Sequence, residues 1–258
     1  MEDAPSRAGS SMKTIDKALK LLDFFTTETP EFRLSDLARA ANVDKATALR
    51  ILHSLASGGL IEQNPETKKY RLGTAVLRLA RIRETCFPIV SVLQPIVDRL
   101  AETTGESAHA GLASDAGLTT IALCEPNRAT RVWIDPTQVL PFHATASGLA
   151  FLAFSPPEFA RQWLERGEVR RFTDETLVSA GDLTARLADI RARGLAFSAG
   201  TLESDVAGIA APVFDWHRKV IATIAVACVR SRLTDAVRAQ IETEVTAAAA
   251  EATRALGG

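Results

Sequence analysis

The chain has 258 residues, 47% of them hydrophobic, and a net charge of −1. That length accommodates two ordinary domains, and that apolar content supports packed cores and excludes a disordered or low-complexity chain. The charge is unevenly placed: residues 1–12 carry −1, residues 13–83 carry +5 and residues 84–258 carry −5, so only the N-terminal part has the sign that attracts phosphates.

Cys86, Cys124 and Cys228 are far apart and form no C-x-x-C pair. This excludes a zinc knuckle and a disulfide framework and fits a reducing compartment. With no signal peptide and no apolar run of membrane-spanning length, the expectation is a cytoplasmic protein without membrane attachment.

Residues 1–12 are small and polar, and are expected to be a disordered tail. Residues 14–27 form an amphipathic helix, with Ile15, Leu19, Leu22 and Phe24 or Phe25 marking the side to be buried. A loop containing Pro30 follows.

The most informative stretch is 34–73, LSDLARAANVDKATALRILHSLASGGLIEQNPETKKYRLG. Its first helix has Ser35 placed as N-cap and Leu37, Ala38 and Ala41 as a narrow apolar stripe. Asn42-Val43 make a turn, and Asp44 caps a second helix from about Lys45 to Ser57, ended by Gly58-Gly59. Ala48, Ile51, Leu52 and Leu55 recur at i, i+3, i+4, i+7 on its buried face. The opposite face carries Ala46, Thr47, Arg50, Ser54 and Ser57, small or hydrogen-bonding residues around one long cation, which suits a helix in a major groove. Residues 60–62 and 69–72 read as a two-stranded ribbon with 64–67 as its turn. This order is a winged helix-turn-helix over residues 13–73, and its expected partner is double-stranded DNA. The candidate DNA contacts are Ser35, Lys45, Ala46, Thr47, Arg50 and Ser54 on the helices and Lys68, Lys69 and Arg71 on the wing. Arg50 is the base-reading candidate, with a phosphate contact or a surface ion pair as its alternatives; the wing cations reach phosphates or are simply solvated.

Residues 74–87 form an arginine-rich amphipathic linker helix, itself a candidate dimer contact, and Pro88 interrupts it. The second domain, 88–258, opens with a helix at 90–105, where Pro95 marks a kink or the effective start. Strands at 107–113 and 118–125 flank Ser114-Asp115-Ala116-Gly117, a hairpin signal. Further strands are expected at 131–135, 195–198, 208–214 and 220–229, and helices at 147–154, 157–166 and 184–193. Thr234 caps a long C-terminal helix. Hairpin-paired strands with flanking helices predict an α+β fold with an antiparallel sheet.

Three blocks together resemble the IclR family of bacterial transcriptional regulators. They are the winged segment, LPFHATASGLAFLAF at 140–154, and RGLAFSAGTLESDVAGIAAPVFDWHRKVIATIAVA at 193–227. The resemblance covers the chain from about residue 13 onward. It implies a GAF-like second domain, dimers or tetramers on a palindromic operator, and a small-molecule effector, often an organic or aromatic acid from catabolism. Carried over position by position, it implies effector contacts at Thr145, Ala146, Ser147 and Gly148 and at Ser198, Gly208, Ala225 and Ala227. Relative to many members the chain lacks acidic residues at Ser198 or Ala199 and at Thr201, has Asp205 in place of glycine, and is small and apolar at Gly208, Ala225 and Ala227. These departures imply a roomier, less polar pocket, or small residues packed under a helix.

His109 and Cys124 lie on the two arms of the predicted hairpin and are further pocket candidates if the register places them on one face. His143 is expected to order its loop, and Trp133, Trp163 and Trp216 to pack. No catalytic or metal-binding set and no cofactor motif is found: G-x-S-x-G, H-E-x-x-H, a phosphate-binding glycine loop and a dinucleotide fingerprint are all absent. The leading expectation is a ligand-responsive regulator of a catabolic operon and not an enzyme. The alternative is an enzyme of small-molecule metabolism whose winged unit serves assembly.

Overall fold

The computed structural model describes residues 8–114, 116–166 and 169–258. The chain divides into two compact units, 1–87 and 88–258. Among the described residues no helix is long and apolar enough to cross a membrane.

The first unit contains α1 (Ala8–Leu22), α2 (Leu34–Ala40), α3 (Lys45–Ser57), β1 (Ile61–Gln63), β2 (Tyr70–Leu72) and α4 (Thr74–Cys86). Its core joins Leu21 and Phe25 to Leu37, Ile51, Leu52, Leu55, Ile61 and Tyr70. Three expectations change here. The last residues of the expected tail, from Ala8, belong to α1, while residues 1–7 lie outside the described residues. Ile15 and Leu19 are each 57% exposed, and the inward side is Ala18, Leu21, Leu22 and Phe25. Two overlapping apolar stripes share Leu22, and the one continued by Phe25 meets the core. Ser35 is not an N-cap: α2 starts at Leu34, Arg33 holds the cap position without a side-chain cap bond, and Ser35 Oγ donates to Asp36 Oδ1 at 3.4 Å. Phe32 is bridged to Tyr70 by two backbone hydrogen bonds, so the chain leaves the ribbon extended and turns into helix as soon as Leu34 reaches the core.

The second unit contains α5 (Ile89–Thr104), β3 (Ser107–Ala113), β4 (Leu118–Cys124), β5 (Val139–Leu140), α6 (Ala146–Phe154), α7 (Pro157–Glu165), α8 (Ala180–Arg193), β6 (Ala196–Ala199), β7 (Val206–Phe214), β8 (Val220–Val229), a 3-10 turn (Arg230–Arg232) and α9 (Asp235–Ala255). Its six strands form one antiparallel sheet in the order β5-β4-β3-β8-β7-β6. Of the predicted hairpin turn, Asp115 lies outside the described residues. Helix α5 runs from Ile89 straight through Pro95. Helix α8 begins earlier than the expected 184, capped by Ser179.

Both faces of this sheet are covered, which explains why β8 is apolar along its whole length. Helices α5 and α9 cover one face, burying Leu93, Val97, Ile241 and Val245 against Ile209, Ile224 and Val226. Helices α6 and α8 cover the other, where Leu149, Leu183 and Ile190 meet Ala196, Ala210 and Ala225. The side chains on this second sheet face are small because α6 lies close to it.

The expected strand at 131–135 is not one. Val132 and Ile134 alternate inward and bury against Ala227, as a strand would, but no ladder partner pairs with them among the described residues. The Val132 carbonyl instead accepts the Ser107 hydroxyl at 2.6 Å, and Val139–Leu140 takes the edge beside β4.

Gly148 marks the tightest point of the unit. A Cβ there would stand 2.4 Å from the Phe142 Cα and carbonyl oxygen, which are backbone and cannot swing aside. Gly148→Ala is therefore expected to destabilise the second unit by about 3 kcal/mol, at the upper end of overpacking costs. Urea unfolding of wild type and variant would measure this, and a change under about 0.5 kcal/mol would show that the loop yields.

Candidate functional site

Helix α3 is fixed from both ends of its sequence. Asp44 Oδ1 accepts the Thr47 N–H at 2.8 Å and Asp44 Oδ2 accepts the Thr47 hydroxyl at 2.7 Å. These bonds hold the Asp44 carboxyl below its usual range, with the backbone bond as the largest cause. At the other end Gly59 takes the left-handed conformation with φ +70°. Asn42, at φ +51°, makes the sharp turn from α2. Ala48, Ile51, Leu52 and Leu55 are buried, so the opposite side of α3 is fixed in the outward direction.

That outward side carries Ala46, Arg50 and Ser54, all exposed, and Lys45 stands exposed at the helix start. Arg50 and Lys45 have no carboxylate partner among the described residues. Thr47 is half-buried and its hydroxyl hydrogen is committed to the cap. The Ser54 hydroxyl donates to the Arg50 carbonyl at 3.1 Å. His53 is also exposed, three residues beyond Arg50 and on the same face. It was missing from the expected contacts, although helical spacing alone puts it there. In the wing, Asn64 Oδ1 accepts the N–H groups of Glu66 and Thr67, and Lys68 closes the turn at φ +58°. Lys68 is exposed and Lys69 half-buried, whereas Arg71 is tied to Glu62 at 2.7 Å and lies 3.9 Å from Glu31. Arg71 is thus part of an intramolecular ion-pair cluster.

The second unit has a cavity of about 90 Å³ between the sheet and the start of α6. The strand register determines which residues face it. Ser198, Gly208 and Ala227 form one row across β6, β7 and β8. In the next row His109 of β3 stands opposite Ala225 of β8. From above, Thr145, Ala146 and Ser147 close the space at the first turn of α6. His109 Nε2 lies 3.0 Å from Ser147 Oγ, and its Nδ1 is buried without a partner among the described residues. Burial pushes the His109 imidazole down to about 4, so it is neutral at pH 7.

Two expected pocket residues do not line this cavity. Cys124 is paired with Ala108, and His109 with Leu123, so Cys124 and His109 point to opposite faces. Cys124 packs on the α5 side, where burial, then the Asp98 carboxylate, raise its thiol pKa. Gly148 is turned to the Phe142 backbone, and its N–H is used by the Thr145 hydroxyl at 3.0 Å. The space is also tighter than the small residues implied, because a Cβ on Gly208 would already stand 3.1 Å from the Ala146 Cβ. The wall gains loop residues missed in the sequence, notably Trp133, Asp135, Gln138, Leu202 and Glu203. They lie in irregular segments with no periodicity to expose their direction. His143 orders its loop by contact with the Arg170 carbonyl at 2.7 Å and stacks near Trp163 and Phe172.

The first unit thus carries a capped outward helix with a wing, and the second an open-mouthed cavity at the start of α6. The IclR helix-turn-helix domain model matches residues 14–65, and the bacterial transcriptional regulator IclR C-terminal model matches residues 85–254. The chain belongs to the IclR family. It is a DNA-binding transcriptional regulator and not an enzyme. The HTH-type transcriptional regulator XynR of Escherichia coli is 28% identical, over 95% of this chain and 98% of that protein. A structure of an IclR transcriptional regulator from Silicibacter sp. is 37% identical, with a TM-score of 0.85 over 95% of this chain and 97% of that one. The fold is also that of an IclR homologue from Microbacterium hydrocarbonoxydans in complex with 4-hydroxybenzoate, 21% identical, with a TM-score of 0.79 over 94% and 98% of the two chains.

The buried histidines give the second unit a pH dependence. An unfolded histidine protonates near 6.5, whereas folded His109 protonates near 4. Between these values the unfolded chain holds the extra proton, so stability is full above about pH 6.5 and falls as the pH drops towards 4. For His109 the loss is on the order of 3 kcal/mol, and burial of His143 acts in the same direction. Urea unfolding at pH 7 and pH 4.5 should show a smaller loss in His109→Asn than in wild type. Equal losses in the two proteins would contradict the burial of His109 in its neutral form.

Proposed function

We propose that α3 of two copies enters successive major grooves of a palindromic operator, and that a small molecule in the cavity beneath α6 shifts the affinity for that operator. The regulated genes are those of a catabolic operon, as the family resemblance implies, and the protein acts in the cytoplasm. The observation that carries the DNA reading is the outward face and the start of α3, where Arg50 and Lys45 respectively stand exposed beside small residues and without carboxylate partners among the described residues. Arg50 reads a base edge, and Lys45, Lys68 and Lys69 contact phosphates. Ala46 and His53 lie against the groove floor, and Thr47 and Ser54 at its sides. Ser35 and Arg71 are weaker candidates, the first because it lies within the first turn of α2, the second because Glu62 already holds it.

Pairing of copies is supported by α4, where Leu77, Leu79 and Ile82 are 73%, 47% and 50% exposed on an otherwise arginine-rich helix. The effector reading is supported by the cavity itself, with its buried, half-partnered His109, and by the 4-hydroxybenzoate held by the Microbacterium homologue. Contacts are assigned to His109, Ser147, Ser198, Thr145, Ala146, Gly208, Ala225 and Ala227. A ligand there favours whichever pairing of the two copies gives it better contacts, and the DNA affinity follows that population shift.

Titration of the full chain on its own promoter region by gel shift tests the DNA reading. Arg50→Ala should weaken binding roughly 10- to 100-fold and relax specificity at one position of the operator. Lys45→Ala should weaken binding to all sequences and reduce the salt slope by about one. Arg71→Ala should change affinity by less than about threefold. Unchanged affinity in both Arg50→Ala and Lys45→Ala would refute the assignment of α3 as the reading helix.

A further inference from the structure

The two ends of the cavity differ in charge. At the inner end stand His109, Ser147 and Ser198, all buried. At the mouth stand Asp135, half-buried, with Gln138 and Glu203, both exposed. Among the described residues neither lysine nor arginine lines the cavity.

Several polar groups are already committed. The Thr145 hydroxyl donates to the Pro141 carbonyl and accepts from Gly148 N–H. The Thr201 hydroxyl donates to the Ala144 carbonyl. Asp135 Oδ1 accepts from the backbone and hydroxyl of Thr137. Left for an occupant are the Ser147 hydroxyl, which shares His109 Nε2, and the Ser198 hydroxyl. The N–H groups of Ala146 and Ser147 also have no acceptor within their helix.

A carboxylate entering this space must shed its water and pass two carboxylates, and no cation receives it. The helix start offers roughly half a positive charge, and His109 would have to take up a proton where burial holds it near 4. An alcohol or phenol has no net charge to desolvate. Its hydroxyl is both donor and acceptor, so it meets the Ser147 hydroxyl in either role of the His109–Ser147 pair and the helix N–H groups with its lone pairs. The remaining wall, Val132, Ile134, Ala225 and Ala227, suits a hydrocarbon chain or ring. At about 90 Å³ the space is smaller than the ~150 Å³ cavities that admit benzene, so a ring-sized occupant extends towards Trp133 at the mouth.

Resting on the effector reading of this cavity, we propose that it selects an uncharged, hydroxyl-bearing small molecule over the carboxylic acid of the same skeleton, the inner hydroxyl meeting His109 and Ser147. This departs from the organic or aromatic acid that the family resemblance implies.

The test is calorimetric titration of the full chain at pH 7.5 with matched pairs: benzyl alcohol and benzoate, 4-hydroxybenzyl alcohol and 4-hydroxybenzoate, glycerol and glycerate. At least one alcohol should bind saturably and about tenfold or more tighter than its acid. Ser147→Ala should weaken that alcohol by about tenfold, and Ala225→Phe, which fills the inner end, should abolish its binding. Ser198→Leu serves as a second blocking variant if Ala225→Phe fails to fold. Asp135→Asn with Glu203→Gln should raise affinity for the acid relative to the alcohol. An acid that binds as tightly as its alcohol, and is lost in the blocking variant, overturns this inference and leaves the effector reading standing. If no member of any pair binds, the inference is overturned; if binding survives the blocking variants, the cavity is not the effector site and the inference falls with it.

Discussion

The close approach of α6 to the sheet is the constraint on which the second unit depends. Two glycines permit it. Gly148 lets the first turn of α6 lie on the Phe142 backbone, and Gly208 lets Ala146 settle on β7. At this distance the sheet can carry only small side chains beneath α6, hence the alanines of β7 and β8 there. The same approach sets the cavity, because the space left over lies where the sheet continues past the beginning of the helix. The cavity is therefore a consequence of how the core packs. Its inner groups, His109 and Ser147, face each other because one strand and one helix start are pressed together.

The first unit answers to a different constraint. Its helices are short, and α3 keeps its position only through a full set of local devices: Asp44 at the start, Gly59 at the end, and four buried apolar residues between. An N-cap of this kind contributes about 1 kcal/mol, while the four buried side chains contribute several times that. Burial thus holds the helix and the cap sets its phase. Once the phase is set, Arg50 has one direction available, and the small residues beside it leave room for a groove wall.

Much of this was legible in the sequence, and the errors have physical causes. Strands such as 107–113 and 220–229 have the expected bounds, the first because the turn signal at 114–117 ends it and the second because it is a β-branched apolar run. The misread helix face in α1 arose because Ile15, Leu19 and Leu22 satisfy helical spacing as well as Ala18, Leu21, Leu22 and Phe25 do. Only the core shows which stripe is used. Ser35 failed as a cap because the bridge between Phe32 and Tyr70, 38 residues apart in sequence numbering, decides where the helix begins. Cys124 failed as a pocket residue on a single register step, since the partner of His109 is Leu123. Loop residues such as Asp135 and Glu203 have no periodicity, and their place at the cavity mouth is visible only in three dimensions.

Those loop residues also set the electrostatic character of the site. The framework is a capped helix with an exposed outward face, a sheet covered on both faces and a cavity under one helix start. In this chain the strands and α6 contribute uncharged groups to the inner end, and these are small because α6 lies close to the sheet. Charge at the mouth comes from segments free of that packing, and in this chain it comes from Asp135 and Glu203. Ligand preference can thus change through a few loop positions while Gly148, Gly208 and His109 stay as they are. A cavity built in this way separates the requirement to fold from the requirement to discriminate, and its discrimination by charge is settled before the ligand meets the histidine.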